Sequence, residues 1–425
     1  MNLANLLIAG VSTRAAARSA ARAGFAVTAI DAFGDLDQHP SVKVLSLAHN
    51  FTARAAALAA QTVECDAVVY LSNFENHPKA ITTLAEGRVL WGNSAATVRR
   101  VRDPLLLAEA LRRRGVAVPQ VRLKPDTTYV DKPDTTYVDK PDATYVVGSG
   151  FSRTVSGVVS GFPGLSEGEG SRIEPNWLLK PLASGGGQRI RLWDGATSVP
   201  RGCYLQEFVD GPSGSLVFVA AGGRAAPFGI SRQLVGEQAF GAEGYQYCGS
   251  ILAAAGDPQF PHDEALVDAA SALARAVADE FGLVGVNGID FVARDGIPYT
   301  IEVNPRWSAS MELVEDAYGL SVFEAHASAC ATGILPAFDL VHARRDRGAV
   351  GKAVIYARGD VTVGETRTWL TKHENIRDIP LPGSCIPSGR PVCTIFADGR
   401  DALTCHDALV QSASRVYAQL EAWCA

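Results

Sequence analysis

Residues 288–306 read G-I-D-F-V-A-R-D-G-I-P-Y-T-I-E-V-N-P-R, two apolar runs broken at Asp295-Gly296, and no other stretch constrains the fold as tightly. Apolar runs flanking Asp-Gly signal a β-hairpin. Three oxygen-bearing side chains interrupt the apolar pattern: Asp290 on the first strand, Glu302 and Asn304 on the second. Successive side chains of a strand alternate faces, so Glu302 and Asn304 point the same way. A three-residue loop at Arg294-Asp295-Gly296, with Gly296 left-handed, sets residue 290 opposite residue 300 and brings Asp290 onto that face. A two-residue loop puts it on the other face, so the shared face calls for an odd-length loop. Two carboxylates about 4 Å apart repel by roughly 4 kcal/mol at an effective dielectric near 20. A divalent cation removes that cost, and hard oxygen ligands with few protein contacts suit Mg²⁺ bound together with substrate phosphates. Arg306 adds an anion clamp beside the acids. The competing reading of the same pattern is a solvated hairpin face.

At 425 residues and 47% hydrophobic content the chain can pack several domains of roughly 100–200 residues each. A net charge of −6 gives no electrostatic reason to expect nucleic acid. No apolar run approaches the ~20 residues of a membrane helix, so no membrane partner is expected. Residues 1–10 are apolar without a basic leader and read as a first strand, not a signal peptide. The cysteines (65, 203, 248, 330, 385, 393, 405, 424) show neither CxxC nor a metal spacing, as in a reducing compartment, with the cytoplasm as expected location.

Residues 3–10 read as a strand, 13–23 as an Ala/Arg-rich helix and 26–31 as a second strand. This βαβ opening continues with short strands at 67–71 and 88–91. Gly10-Val-Ser-Thr-Arg14 is not GxGxxG, so dinucleotide binding is weakly supported despite Asp31 at the end of the second strand. Residues 97–115 read as one long helix and 116–121 as a strand. Lys-Pro-Asp-Thr-Thr-Tyr-Val-Asp then begins at Lys124, repeats at Lys132 and recurs as a variant at Lys140, followed by a Gly/Ser-rich run to Gly170. Such short units bury too little to stack as a solenoid, so 124–170 reads as a disordered or loosely extended insertion. The expected organisation is α/β: a Rossmann-like domain over 1–95, a central domain over 96–335 carrying the insertion, and a small C-terminal α+β domain over 336–425.

Trp177-Leu-Leu-Lys-Pro181 is a short strand with a lysine near its end, followed by Ser184-Gly185-Gly186-Gly187-Gln188. Lys180 precedes the glycines and no GK[ST] follows, so this is no Walker loop. A flexible glycine loop can still fold its amides over phosphates while the lysine supplies a point charge; a plain turn is the alternative. In Tyr204-Leu-Gln-Glu-Phe-Val-Asp-Gly211 a strand enters a turn, and its edge can serve as a hydrogen-bonding hinge for a nucleotide base.

In this order, Trp-Leu-Leu-Lys-Pro (177–181), Ser-Gly-Gly-Gly-Gln (184–188), Gln-Glu-Phe-Val-Asp-Gly (206–211) and Asp-Phe…Ile-Glu-Val-Asn-Pro-Arg (290–306) resemble the ATP-grasp superfamily, over roughly residues 92 to 335. The resemblance is greatest to carboxylate–amine ligases related to biotin carboxylase. It implies an ATP-grasp fold with an N-terminal Rossmann-like domain and a small C-terminal β-rich domain. It further implies that Lys180 contacts ATP phosphates, that Ser184, Gly185, Gly186, Gly187 and Gln188 form a lid, and that Gln206, Glu207, Phe208 and Val209 line the adenine pocket. Asp290, Glu302 and Asn304 would hold Mg²⁺ or Mn²⁺, and Arg306 would steady the transferred phosphoryl group. Three positions depart from the family pattern. Arg102-Asp-Pro104 stands where relatives carry a phosphate-binding lysine, Pro212-Ser213 replaces a ribose-binding acid, and Gly288 replaces an arginine two residues before the first metal carboxylate. Arg232 is the internal candidate to restore phosphate charge.

The resemblance therefore implies an ATP- and Mg²⁺-dependent ligase that joins a small-molecule carboxylate to an amine through an acyl phosphate, and it is compatible with a homodimer. The N-terminal Gly-Val-Ser-Thr-Arg run resembles a branch found in methanogens and methylotrophs, implying addition of an amino acid such as glutamate to a one-carbon carrier like methylofuran or tetrahydromethanopterin. The alternatives are an ATP-grasp small-molecule kinase, an NAD(P)-binding oxidoreductase built on the first βαβ unit, and a non-catalytic interaction protein working through its octapeptides. His326 reads as a packing or capping group, and Cys385 and Cys393 as structural.

Overall fold

The structure is a computed structural model that describes residues 4–123 and 176–424, apart from 196, 346, 373 and 374. The octapeptide segment lies outside the described residues. The chain opens with β1 (Asn5–Ala9), α1 (Arg14–Arg22), β2 (Ala26–Asp31), β3 (Lys43–Ser46), α2 (Ala53–Ala60), β4 (Ala67–Tyr70), α3 (Pro78–Leu84) and β5 (Val89–Leu90). These strands form a parallel sheet of order β3-β2-β1-β4-β5. Both faces of β1 are apolar because both are covered. Leu6 and Ile8 enter the core beneath α1, and Leu7 and Ala9 the one beneath α2 and α3. Unbroken apolar strands are the mark of such doubly covered parallel sheets.

Where the sequence suggests one helix over 97–115, two occur: α4 (Ala95–Val101) and α5 (Pro104–Arg113). Pro104 lacks an amide hydrogen and disfavours helical conformation in the residue before it. Asp103 caps the new start, its carboxylate accepting from the Leu105 and Leu106 amides at 2.9 and 3.1 Å. The break leaves Arg102 in the elbow between the helices. The strand expected at 116–121 shrinks to β6 (Val121–Arg122).

A small antiparallel sheet follows, order β6-β9-β7-β8, with β7 (Trp177–Pro181), β8 (Arg191–Leu192) and β9 (Cys203–Glu207) around Trp177, Leu179 and Leu205. The main sheet has eight strands. They are β10 (Ser213–Ala221), β11 (Arg224–Val235), β12 (Tyr247–Leu252), β13 (Gly285–Arg294), β14 (Ile297–Asn304), β15 (Ala349–Tyr356), β17 (Ile376–Arg377) and β19 (Pro391–Gly399). Their order is β14-β13-β10-β11-β12-β15-β19-β17; β16 (Val361–Thr362) pairs separately with β18 (Cys385–Ile386). Since β15 hydrogen-bonds β12, the C-terminal strands extend the central sheet. Helix α6 (Asp263–Phe281) packs on one face, and α7 (Ser310–Tyr318) and α8 (Val322–Thr332) share the other with the first sheet. There Leu6, Val27, Val217, Val286, Met311 and Phe323 belong to one core.

Candidate active site

The β13–β14 ribbon differs from expectation in a way that preserves its consequence. The loop has two residues, with Arg294 opposite Ile297 and both Asp295 (φ 54°) and Gly296 (φ 74°) left-handed. That is the primed turn whose twist matches the strands and which Asp-Gly favours. Alone it would send Asp290 to the wrong face. A β-bulge restores the phase. Phe291 pairs with Thr300 but Asp290 with Glu302, leaving Ile301 as the extra residue. Asp290, Glu302 and Asn304 therefore do share one face.

The Asp290 carboxylate accepts from Asn304 Nδ2 and Gln233 Nε2, each at 2.9 Å. Burial, then the charge of Glu302, pushes its pKa up to about 6, against hydrogen bonds from Ser215 and Asn304. Glu302 moves the other way. Burial alone would raise it, but Arg102, Lys180 and Arg306 together hold it below the ordinary carboxylate value. The two neighbouring acids are thus shifted in opposite directions.

Arg102, which the sequence reading counted only as a missing lysine, supplies charge here. Its Nη1 lies 3.2 Å from Glu302 Oε2 and also donates to the Val303 carbonyl at 3.2 Å. The signal available in the sequence was Pro104, which breaks the expected 97–115 helix after Val101. Arg232 does not join the site. It pairs with Gly214, whose other neighbour is Phe291, so it lies on the face opposite Asp290 and is exposed. The next residue, Gln233, takes the inward position, because adjacent strand residues alternate sides.

Lys180 is 4% exposed, and its ammonium donates to Gln206 Oε1 at 2.9 Å. Gln206 Nε2 in turn donates to the Ile301 carbonyl at 3.3 Å, so its amide joins lysine and ribbon rather than facing an open base pocket. Burial lowers the Lys180 pKa to about 8, with Glu302 opposing the shift. Glu207 bonds the Gln120 amide, Phe208 N–H donates to Asn176 O, and Val209 is buried. A narrow cleft of about 20 Å³ separates the small sheet from the ribbon, lined by Arg102, Leu182, Ser184, Tyr204 and Glu302 among others.

The glycine loop lies folded across this cleft. Tyr247 N–H donates to Gly186 O at 3.1 Å, and Asn76 Nδ2 reaches Ser184 O at 3.5 Å. Gly187 (φ 75°) presses so closely on Tyr245 that a Cβ would sit 1.8 Å from its carbonyl oxygen. Gly185 and Gln188 are exposed.

Arg306 is positioned by the first sheet. Tyr70 Oη and Asn93 Nδ2 donate to the Pro305 carbonyl at 3.1 and 3.0 Å, and the Arg306 guanidinium is ion-paired to Glu75 and donates to Asn304 Oδ1 at 3.2 Å. Glu75, in the loop after β4, escaped the sequence reading because no local pattern ties it to residue 306. His326 is a packing group as expected: its Nδ1 accepts from Val286 N–H at 3.0 Å, and burial lowers its pKa to about 4. Asp31 is occupied by Thr13, Gln38 and the Phe33 and Gly34 amides, which leaves little for a dinucleotide ribose.

Among the described residues no group of three His, Cys, Asp or Glu side chains is placed to hold a metal. Two carboxylates and an amide fit Mg²⁺ instead, a cation that keeps waters and phosphate oxygens as its remaining ligands. A cation there would also offset the Glu302 charge that, after burial, raises the Asp290 pKa. Among the described residues no helix is long and apolar enough to cross a membrane.

Acids on the main antiparallel sheet thus face a buried lysine on the small one across this cleft. Residues 158–310 match the ATP-grasp domain family. An uncharacterized protein of Methanocaldococcus jannaschii is 26% identical over 121 residues, a match spanning 28% of either chain. Among solved structures, L-amino acid ligase from Bacillus licheniformis is similar at TM-score 0.62 and 15% identity, covering 97% of both chains. Carboxyaminoimidazole ribonucleotide synthase from Aspergillus clavatus, solved with ATP, gives 0.64 and 15% over 99% of both. Biotin carboxylase from Campylobacter jejuni gives 0.63 and 14%, over 94% of this chain and 88% of that one. These likenesses run over nearly the whole chain and show a shared fold.

Proposed function

We propose that the protein joins a carboxylate to an amine at the expense of ATP. The observation that carries this reading is the meeting of Asp290, Glu302, Asn304 and Arg306 on one ribbon face, with Lys180 and Arg102 across a cleft closed by a glycine loop. Asp290, Glu302 and Asn304 would hold Mg²⁺, which would neutralise charge on the triphosphate. Lys180 and Arg102 would bind phosphate oxygens, with the hinge at 206–209 against the adenine. A carboxylate oxygen of the substrate attacks the γ-phosphorus, the bond to the β-phosphate oxygen breaks, and ADP leaves. Arg306 steadies the resulting acyl phosphate. The amine then attacks the acyl carbon, loses a proton and expels phosphate. Positioning and charge neutralisation are the protein's contribution to such transfers, and Ser184–Gln188 would keep water from the mixed anhydride. The neighbours named as amino-acid ligase and biotin carboxylase support the same chemistry. Attachment of an amino acid to a one-carbon carrier, a homodimeric state and a cytoplasmic location rest on sequence resemblance and composition alone.

Screening carboxylates and amines for coupled release of ADP and phosphate, with hydroxylamine as a trap for the acyl phosphate, tests the reading. ADP without phosphate, and no hydroxamate, would identify a kinase and overturn it.

A further inference from the structure

The ion pair between Glu75 and Arg306 is one-pronged. Arg306 Nη2 meets Glu75 Oε1, while Glu75 Oε2 and Arg306 Nε are both buried without a partner. The Glu75 side chain is 2% exposed. A buried acceptor left unmatched is costly and rare in native proteins. The nearby donors are committed elsewhere: Tyr70 Oη to the Asn93 and Pro305 carbonyls, Asn76 Nδ2 to Asn73 Oδ1 and Ser184 O, Asn304 Nδ2 to Asp290. One acceptor carrying negative charge and one donor carrying positive charge thus lie buried and unpartnered on the same pair. Arg306 also reaches the ribbon through Asn304, and Asn76, next to Glu75, reaches Ser184 of the glycine loop.

We infer that Glu75 is the ammonium-binding residue for the acid being activated, and that this acid is an α-amino acid. This rests on the ligase reading of the same site and extends it to the substrate. An α-amino acid places an ammonium and a carboxylate on one carbon, with opposite charges that match Oε2 and Nε. A neutral zwitterion entering a neutral ion pair leaves no net charge buried, and charge left unpaired in such a place is what burial penalises. Arg306 takes the carboxylate that will be phosphorylated. Glu75, carried by the loop between β4 and α3, excludes acids that lack the amine. A site built to bond a polar substrate group rejects the analogue without it, since its own groups are then left unmatched.

The test is ATP-dependent hydroxamate formation with the common L-amino acids and their des-amino counterparts, such as L-alanine against propionate, in wild type and Glu75→Gln. The wild type should favour the amino form, and in Glu75→Gln the preference in kcat/KM should fall about tenfold to a hundredfold. An unchanged preference in the variant, or a wild type that favours des-amino acids, overturns the assignment while leaving the ligase reading intact. Thermal-shift binding of the same panel with ADP and Mg²⁺ needs no turnover. Stabilisation by amino acids that Glu75→Gln abolishes supports the assignment, and equal shifts in both proteins overturn it. Absence of hydroxamate from every acid counts against the ligase reading itself.

Discussion

Arg14 and Glu312, 298 positions apart, face each other through two hydrogen bonds of 2.8 and 3.0 Å, both side chains nearly sealed from solvent. Glu312 also accepts from Lys352 at 3.1 Å and Arg377 at 2.8 Å, so one carboxylate ties the first sheet's helix to α7, β15 and β17. Burial alone would raise its pKa, but Arg14, Lys352 and Arg377 hold it well below the usual value. Its stabilising effect is therefore full above the unfolded carboxylate pKa and is lost only as pH falls through the lowered folded value. Glu312→Gln should destabilise the protein by about 3–5 kcal/mol, because it leaves buried cations unmatched. Urea unfolding at pH 7 measures it, and a loss under 1 kcal/mol would show the network to be dispensable.

Glu302→Gln should lower ADP formation by on the order of 10²–10³, the usual effect of removing one preorganised charge from a transfer site. Circular dichroism should be unchanged. Retention of more than a tenth of wild-type turnover would rule out Glu302 as a metal ligand.

Asp290 has the opposite sign from a usual carboxylate. Its folded pKa is raised, so the fold favours its protonated form, and that contribution disappears as pH climbs from the unfolded value through about 6. Metal-free Asp290→Asn should then melt slightly higher than wild type at pH 7, by on the order of 1 kcal/mol or a few degrees. Mg²⁺ binding to the wild type, followed by calorimetry with ADP present, should release a proton near pH 6 and weaken below it. Binding that is flat between pH 5 and pH 7.5 would contradict this.

Arg102→Ala should raise KM for ATP about tenfold or more while leaving the unfolding free energy within about 1 kcal/mol, since Glu302 keeps solvent access at 31% exposure. Steady-state kinetics with ATP varied decides it; an unaltered KM would return Arg102 to a merely structural role.

Gly187→Ala places a Cβ where the Tyr245 carbonyl already sits, at a left-handed φ. The loop could then no longer dock, and water would reach the intermediate. The ratio of ADP formed to amide product should rise several-fold, with little change in global stability. A ratio held at one would show that docking is not needed.

Much of the site could be read from residues 177–209 and 288–306 because strand alternation and turn chemistry act locally. Lys180, Asp290, Glu302, Asn304 and Arg306 converge as their order suggests. The loop length was misread because two errors of phase cancel: a two-residue turn and a bulge at Ile301 together give the parity that an odd loop would give. Arg232 failed for the same kind of reason, since one step along a strand exchanges inside for outside. Arg102 and Glu75 were missed because each reaches the ribbon from an element distant in sequence, the elbow at Asp103-Pro104 and the loop after β4. Nothing local records such a meeting.

The bulge at Ile301 has a consequence for how this ribbon can change over time. Substitutions along it are graded in effect, but straightening the ladder so that Ile301 itself pairs with Asp290 would be a frameshift in three dimensions. It would turn Glu302 and Asn304 into the hydrophobic interior and bring Ile301 and Val303 out to the cleft, with the hairpin otherwise intact. Loss of Ile301 alone would keep Glu302 opposite Asp290, so lineages that keep the chemistry can shed the bulge only together with its extra residue.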